Sequence, residues 1–265
     1  MTRTTRLVAL AAAALSLVGC GSDSSPASSG QPGTSAAADG VPGDVVVFAA
    51  ASLTESFTQI GKDFEAANPG TKVTFNFAGS SALAQQINQG APADVFASAS
   101  PTNMTQVTDA DGTEGEPVTF VRNRLEIAVP KGNPAGVTGL ADFGRADLKI
   151  ALCAEQVPCG AAATKAFEAA GVTAAPDTLE QDVKAALTKV RLGEVDAALV
   201  YRTDVLSTKG EVDGIEFPEA DKAINDYPIA ALAKAPNTAA AAAFVAYVLS
   251  DRGRAVLSEA GFDNP

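Results

Sequence analysis

The chain has 265 residues, of which 46% are hydrophobic and 19% are charged, and it contains no histidine. This composition is typical of a globular protein, and the length is sufficient for two compact lobes with their own cores. The formal net charge of −12 argues against nucleic acid as a partner. The lack of histidine excludes a Ser-His-Asp hydrolase, a Cys-His enzyme and any histidine-ligated metal site.

The first 19 residues are typical of a secretory signal peptide. Arg3 and Arg6 precede an apolar run from Leu7 to Val18, which is too short to span a bilayer comfortably. The run ends in Leu17-Val18-Gly19-Cys20, which resembles the lipobox of bacterial lipoproteins, where the cysteine is acylated and becomes the mature N-terminus. We therefore predict a signal peptide at residues 1–19 and lipidation at Cys20; the alternative is a plain signal peptide with an incidental cysteine.

Residues 20–43 are dominated by serine, glycine, alanine and proline, so they bury too little apolar surface to offset the entropy of ordering. We predict a flexible tether here, with the folded part starting near Asp44. Acyl chains on Cys20 would anchor the exported protein to the outer face of the cell membrane without a spanning helix. Loss of Arg3 and Arg6 with the signal peptide changes the formal net charge from −12 to −14.

Two cysteines, Cys153 and Cys159, remain once Cys20 is assigned to lipid. An even pair in an exported chain indicates a possible disulfide, because the compartment is oxidising. The closed loop would be short, so the chain-entropy contribution is roughly 2 kcal/mol. Two free buried thiols are the alternative.

The folded part opens with alternating strand and helix signals. Asp44 to Ala50 is predicted as a buried strand, and the Ser-x-x-Glu spacing of Ser52 and Glu55 predicts a capping box with a helix starting at Ser52. That helix should end at Asn68-Pro69-Gly70. A strand from Lys72 to Phe77, a helix starting near Gly79-Ser80-Ser81 and a strand from Ala93 to Ala97 are predicted to follow.

This β-α-β alternation predicts an α/β fold with largely parallel sheets. The other predicted strands are Leu125 to Val129, Leu148 to Leu152 and Ala197 to Tyr201, and the other predicted helices are Ala161 to Ala170, Val183 to Leu192, Asn237 to Leu249 and Arg252 to Ala260. Composition alone does not locate a domain boundary.

No enzyme motif stands out in the sequence. A Ser-x-x-Lys pair, a P-loop and a glycine-rich dinucleotide fingerprint are all missing. No acid/base pair of carboxylates can be recognised by spacing, although a pair formed in space stays open. A serine hydrolase using Ser52 or Ser80 would lack an obvious base.

Small-residue turns recur instead between a strand and a helix, at Ala51-Ser52, Gly79-Ser80 and Pro158-Cys159-Gly160. Each would present free backbone N–H groups at a helix N-terminus, which attract anions. Several such turns converging on one point would suit a small oxyanion. For each turn alone, an ordinary capped helix is the alternative.

Taken together, these segments resemble the periplasmic molybdate-binding protein family over most of the chain from Val45 to Phe262. The stretches that carry the resemblance are Val47-Phe48-Ala49-Ala50-Ala51-Ser52-Leu53-Thr54, Phe77-Ala78-Gly79-Ser80-Ser81, Gln86-Ile87, Gly90-Ala91-Pro92-Ala93-Asp94-Val95-Phe96-Ala97-Ser98-Ala99, Val157-Pro158, Asp182-Val183, Gly193-Glu194-Val195-Asp196-Ala197-Ala198-Leu199-Val200-Tyr201, Thr203-Asp204 and Tyr227-Pro228-Ile229-Ala230. Together they are highly specific, whereas any one would be weak.

The resemblance implies a type II periplasmic-binding-protein fold, in which two α/β lobes close on a ligand in the cleft between them. Lobe I would comprise residues 44–123 and 228–265 and lobe II residues 124–227, with crossovers near Asn123 and Tyr227. It also implies a binding protein without catalytic activity or cofactor, which captures molybdate or tungstate as a monomer and delivers it to the permease and ATPase subunits of an ABC importer.

The family's ligand is held by neutral hydrogen-bond donors, and the resemblance assigns these to Ser52, Ser80, Cys159, Val183 and Tyr201. The serines would donate hydroxyl and backbone N–H groups, Cys159 and Val183 backbone N–H groups, and Tyr201 its phenol. Many family members have alanine where this chain has Cys159, but a backbone donor does not depend on the side chain. A disulfide between Cys153 and Cys159 would pin that loop.

Two other ligand classes remain as alternatives. The same fold could serve another oxyanion such as sulfate or thiosulfate. A bare ferric ion is less well suited, because such sites usually need paired tyrosines and Tyr201, Tyr227 and Tyr247 are not adjacent in sequence. We therefore expect no site for a bare metal cation.

Overall fold

The computed structural model of the protein describes residues 43–265. The predicted signal peptide, the lipidation site at Cys20 and all of the predicted tether except Gly43 lie outside the described residues. Within the described part, no helix is long and apolar enough to cross a membrane.

The described chain alternates between strands and helices. The strands are β1 (Val45–Ala50), β2 (Val73–Ala78), β3 (Val95–Ala97), β4 (Val118–Asn123), β5 (Leu125–Pro130), β6 (Ile150–Cys153), β7 (Thr178–Glu180), β8 (Ala197–Tyr201), β9 (Val212–Ile215) and β10 (Asn225–Ala231). The α-helices are α1 (Thr54–Ala67), α2 (Ser80–Asn88), α3 (Pro101–Thr108), α4 (Pro158–Ala170), α5 (Val183–Arg191), α6 (Arg202–Ser207), α7 (Thr238–Leu249) and α8 (Asp251–Glu259).

The strands form two five-stranded sheets, in the orders β2-β1-β3-β10-β4 and β7-β6-β8-β5-β9. Both sheets are mixed, although the sequence predicted largely parallel ones. Each sheet has one strand that is antiparallel to its neighbours, β10 in the first sheet and β5 in the second. This is the strand by which the chain enters from the other sheet. An entering strand runs away from the cleft, whereas the parallel strands end at it.

The chain passes from the first sheet to the second between Asn123 and Leu125, and it returns between Ile215 and Asn225. The return lies a few residues before Tyr227, where the resemblance placed it. We use lobe I for the part built on the first sheet and lobe II for the part built on the second.

Each lobe has its own buried core. In lobe I, Phe57 and Phe64 of α1 are buried and make edge contacts with Phe244 of α7, with ring centroids 6.1 and 5.4 Å apart. In lobe II, Phe143 packs on Phe167 of α4, with ring centroids 5.5 Å apart. Spacings of three to four residues along α1 place its apolar side chains on one face, which covers the sheet.

The predicted capping box at the start of α1 was wrong. A turn of 3-10 helix, Ala51–Leu53, precedes α1, and the Ser52 side chain makes no cap hydrogen bond. The Ser52 Oγ instead lies 2.9 Å from the Tyr227 hydroxyl, and Glu55 pairs with Lys184. Tertiary partners therefore take both groups away from the helix terminus, and Ser52 faces the cleft rather than its own helix.

Candidate functional site

A small cavity lies where strand ends of both lobes meet. It is lined by Ala50, Ala51, Ser52, Gly79, Ser80, Ala99, Val157, Pro158, Cys159, Asp182, Val183 and Tyr201. All five residues assigned from the sequence are among them: Ser52 and Ser80 from lobe I, and Cys159, Val183 and Tyr201 from lobe II. The structure thus brings together groups that are up to 149 positions apart in the chain.

The cavity is narrow. Its volume is about 10 Å³, which is close to the smallest space that holds one water molecule. A space this small leaves no room for a sugar or an amino acid. A larger cleft of about 340 Å³, lined by Arg124, Glu126 and Arg202 among others, contains none of the five assigned residues.

Three helices, α2, α4 and α5, begin at the cavity. The first hydrogen bonds inside these helices start after the lining residues. In α2 the N–H groups of Ala82 and Leu83 donate to the Gly79 carbonyl, and in α4 the N–H group of Ala161 donates to the Val157 carbonyl. In α5 the Ala185 N–H donates to the side chain of Asp182 and the Ala186 N–H to its carbonyl. The N–H groups of Ser80, Cys159 and Val183 precede these bonds. Helix N-termini carry partial positive charge, so the three together favour an anion in the cavity.

Ser80 and Ser52 are held by hydrogen bonds to neighbouring groups. The Ala99 backbone N–H donates to Ser80 Oγ over 2.9 Å, and Ser52 Oγ lies 2.9 Å from the Tyr227 hydroxyl. Both serines are buried. Their hydroxyl groups are therefore fixed in place before any ligand arrives.

Tyr201 contributes a buried phenol from the end of β8. Within the described part of the chain its hydroxyl makes no hydrogen bond of regular geometry, although the Tyr227 phenol lies near enough to interact with it. Burial, with the nearby Tyr227 phenol and the Asp204 carboxylate, raises the pKa of Tyr201 well above its usual value. The phenol stays protonated at neutral pH, so it can donate a hydrogen bond to a ligand.

No lysine or arginine lines this cavity among the residues that the structure describes. Its one carboxylate, Asp182, caps α5 by accepting from the Ala185 N–H over 2.9 Å. An anion in the cavity would therefore be held by neutral donors and helix N-termini rather than by a cation.

A charged link crosses the cleft beside the cavity. Lys184 Nζ in α5 lies 2.8 Å from the Glu55 carboxylate of lobe I and 3.1 Å from the buried carboxylate of Asp204. Burial lowers the pKa of Lys184, but Asp204 and Glu55 outweigh it and the net pKa is raised. The ammonium stays charged and connects the two lobes in the closed arrangement.

The backbones of the two lobes approach each other closely at Gly79. A Cβ atom at this position would overlap the Gln181 carbonyl oxygen of lobe II and lie 3.3 Å from a methyl carbon of Val157. The backbone at Gly79 has φ −59° and ψ 134°, which any residue can adopt. The position therefore needs glycine because of the neighbouring lobe and not because of its own backbone.

The sulfurs of Cys153 and Cys159 lie at bonding distance, with their Cα atoms 5.7 Å apart. Cys153 ends β6 and Cys159 lies in the first turn of α4. The pair lies between the end of β6 and the turn that brings Cys159 to the cavity.

Sequence reasoning missed several neighbours of the cavity. Tyr227 was predicted to lie near a crossover between the lobes but received no role in the site, and its hydroxyl contacts Ser52. Asn123 and Thr203 are buried and hydrogen-bonded to each other over 2.8 Å. Tyr227 could have been found as a buried tyrosine in a stretch that carries the family resemblance; nothing in the local sequence marks Asn123.

Known proteins resemble this chain over most of its length. The family described as bacterial extracellular solute-binding protein matches residues 45–263. The molybdate-binding protein ModA of Mycobacterium tuberculosis is 44% identical over 249 residues, which are 94% of this chain and 93% of that protein.

Two solved structures share the fold. The periplasmic molybdate-binding protein of Azotobacter vinelandii has a TM-score of 0.71 at 19% identity and covers 83% of this chain and 99% of its own. The sulfate-binding protein SubI of Mycobacterium tuberculosis also has a TM-score of 0.71, at 14% identity, covering 83% and 86%. At these identities the likeness concerns the fold alone.

The fold is that of a type II periplasmic binding protein, and the relatives are solute-binding proteins rather than enzymes. The chain is accordingly a solute-binding protein with no enzymatic role. It belongs to the bacterial extracellular solute-binding proteins and, among them, to the family of periplasmic molybdate-binding proteins.

Proposed function

We propose that this protein captures molybdate, and also tungstate, in the cavity between its lobes, without a cofactor or a bare metal cation. The observation that carries the proposal is the convergence of Ser52, Ser80, Cys159, Val183 and Tyr201 on one cavity. The 44% identity to a protein named for molybdate binding supports the choice of ligand.

Each of the five residues would contribute donors. Ser52 and Ser80 would use hydroxyl and backbone N–H groups, Cys159 and Val183 backbone N–H groups, and Tyr201 its phenol. About seven charge-assisted hydrogen bonds of roughly 1.5–3 kcal/mol each give about 10–20 kcal/mol before the costs of closure and ordering. A dissociation constant below about 1 μM, or about −8 kcal/mol, is within reach.

Selectivity among oxyanions would follow from the size of the ion and from the number of protons that it carries. The metal–oxygen bonds of molybdate and tungstate are longer than the sulfur–oxygen bonds of sulfate, so a cavity closed around the larger ions would contact sulfate poorly. Hydrogen phosphate carries a proton that needs an acceptor, and the one carboxylate at the cavity, Asp182, is engaged in capping α5.

Delivery completes the proposed function. Lipid on Cys20 would hold the exported monomer at the outer face of the cell membrane, where it would pass its ligand to the permease and ATPase of an ABC importer. We also propose a disulfide between Cys153 and Cys159 that fixes the first turn of α4. Intact-mass measurement of the membrane-derived protein, before and after reduction, tests both; an unmodified Cys20 or two free thiols would contradict them.

Isothermal titration calorimetry on the purified protein tests the ligand, using molybdate, tungstate, sulfate and phosphate. We expect one-to-one binding of the first two below about 1 μM and much weaker heat from the others. Tight binding of sulfate with no binding of molybdate would sink the proposal and favour the sulfate alternative.

A matched pair of serine variants links the binding to the cavity. Ser80→Ala removes a lining hydroxyl and should weaken molybdate binding about tenfold, as expected for one charge-assisted hydrogen bond. Ser81→Ala changes the adjacent buried serine, which does not line the cavity, and should bind as the wild type does. Equal losses in both variants would place the ligand elsewhere.

A further inference from the structure

Each of the two cavity serines has a hydrogen-bond partner within lobe I. Ser80 Oγ accepts a hydrogen bond from the Ala99 backbone N–H over 2.9 Å. A backbone N–H cannot act as an acceptor, so the hydroxyl proton of Ser80 is not used in this bond. That proton is free to donate into the cavity.

At Ser52 the corresponding partner is the Tyr227 hydroxyl, 2.9 Å away, and either oxygen could be the donor. The direction of this bond decides whether Ser52 meets a ligand as a donor or as an acceptor. The hydrogen bonds of Asn123, at the crossover from β4 to β5, determine this direction.

The orientation of the Asn123 side-chain amide is fixed by its surroundings. Its Oδ1 accepts from the Arg124 backbone N–H over 3.0 Å, so the amide nitrogen must face the other way. That nitrogen, which can only donate, lies 2.8 Å from Thr203 Oγ1 and 3.4 Å from the Tyr227 hydroxyl. Flipping the amide would place its NH₂ group against the Arg124 N–H.

The Tyr227 hydroxyl therefore accepts from Asn123 and has one proton to donate. Among the described residues, Ser52 Oγ, 2.9 Å away, is the acceptor that meets hydrogen-bond geometry; the neighbouring Tyr201 phenol interacts with Tyr227 but makes no bond of that geometry. Tyr227 donates to Ser52, and the proton of Ser52 is left for the cavity. The Tyr201 hydroxyl makes no regular hydrogen bond within the described part of the chain, so its proton is also free to donate into the cavity.

From this chain of contacts we infer that Asn123 and Tyr227, neither of which lines the cavity, determine specificity by fixing Ser52 as a donor. The site then accepts oxyanions whose oxygens carry no proton and rejects those that retain one, such as hydrogen phosphate. The inference rests on the proposed function, since it concerns how the same site selects among tetrahedral oxyanions.

Sulfate and hydrogen phosphate make a size-matched test, because they are similar tetrahedra that differ by one proton near neutral pH. Each would be used to displace molybdate from the purified protein, and the ratio of their inhibition constants is the readout. In the wild type we expect sulfate to compete better by about tenfold or more, because the O–H group of hydrogen phosphate would face a cavity hydroxyl that also donates, and neither proton would have an acceptor.

Tyr227→Phe removes the hydroxyl that directs Ser52 and keeps the ring, which packs on Phe120 and Phe262. The serine can then turn either way, so the ratio should fall towards one while molybdate still binds. Tyr247→Phe is the matched control: this ring packs on Phe64 in the lobe I core, and its variant should keep the wild-type ratio.

Asn123→Asp is the second variant, because an ionised carboxylate accepts where the amide donates. Tyr227 would then donate to Asp, Ser52 would donate to Tyr227, and Ser52 Oγ would become an acceptor for a protonated ligand. The added negative charge weakens the binding of every anion, so the readout is the ratio of the two inhibition constants and not the affinity. That ratio should shift in favour of hydrogen phosphate.

The outcomes separate this inference from the proposed function. If the wild-type protein does not bind molybdate, the proposed function itself is wrong. Tight molybdate binding with no preference between sulfate and hydrogen phosphate, or with a preference unchanged in both variants, overturns the inference and leaves the function intact.

Discussion

Glu126 is a buried carboxylate in β5, beside the cleft that Arg124 and Arg202 also line. Burial and then the nearby Glu216 raise its pKa to about 7, while Arg202 opposes the shift. A carboxyl group with a raised pKa binds its proton more tightly in the folded than in the unfolded state. Its contribution to stability is present at low pH and is lost as the pH rises through about 7.

Replacing Glu126 by glutamine should therefore change stability in a pH-dependent way. At pH 8 the variant avoids a poorly solvated charge and should be more stable by about 1–2 kcal/mol, after allowance for partial solvent access. At pH 4 wild type and variant should melt alike. Thermal melts at both pH values measure this, with the exposed Glu168→Gln as control; a gain of equal size at both pH values would contradict it.

Ser52 and Glu55 show how far single residues could be interpreted from sequence. Their spacing matched a capping box, but Ser52 bonds to Tyr227, 175 positions away, and Glu55 pairs with Lys184, 129 positions away. Distant partners of this kind leave no local pattern. The family resemblance, by contrast, selected five residues that do line one cavity, because the stretches that carry the resemblance are highly specific when they are taken together.

Among the elements, the strongly patterned ones were predicted well. The predicted strand at Asp44 to Ala50 corresponds to Val45–Ala50, and the predicted helix at Val183 to Leu192 corresponds to Val183–Arg191. Weakly patterned elements were missed: β7 has three residues that are not buried, and β4 alternates between exposed and buried positions. Such short or edge strands are defined by their sheet partners more than by their own residues.

Helix α2 and the end of β7 give a prediction about closure. Gly79→Ala adds a methyl group that overlaps the Gln181 carbonyl only when the lobes are together. Lobe I should fold normally, because the backbone at Gly79 is ordinary, but molybdate affinity should fall about tenfold or more from the overpacking. Calorimetry gives the affinity and small-angle X-ray scattering the ligand-induced compaction, which the variant should lose.

Gly139→Ala is the control for that variant. Its added Cβ would meet no atom within 4 Å, and its backbone is extended, so it should bind and compact as the wild type does. Wild-type affinity in Gly79→Ala would mean that the ligand is held without the close approach at Gln181.

For the whole molecule, the type II architecture was predicted and the detailed strand directions were not. The alternation of strands and helices indicates α/β lobes, but it does not show which strand crosses from one lobe to the other. Those crossing strands, β5 and β10, are the ones that make each sheet mixed. Their direction depends on the position of the cleft, which no local segment encodes.

The net charge of the whole chain predicts how capture depends on salt. The formal net charge is −12, or −14 if Arg3 and Arg6 are removed with the predicted signal peptide, and an approaching dianion would be repelled in either case. Added salt screens this repulsion, so the association rate of molybdate should rise with ionic strength. Stopped-flow mixing across a range of potassium chloride concentrations measures it; a rate that falls with salt would point to a local attractive field at the cleft.

The lack of lysine and arginine around the cavity, in the part of the chain that the structure describes, has an effect outside the binding site. The nearby Lys184 ammonium is already paired with Glu55 and Asp204, so a captured dianion would add its two negative charges to the net charge of the protein. Empty and filled molecules would then differ in electrophoretic mobility and in retention on an anion exchanger. A membrane complex that samples both forms could distinguish a loaded carrier from an empty one at a distance, before the two surfaces touch.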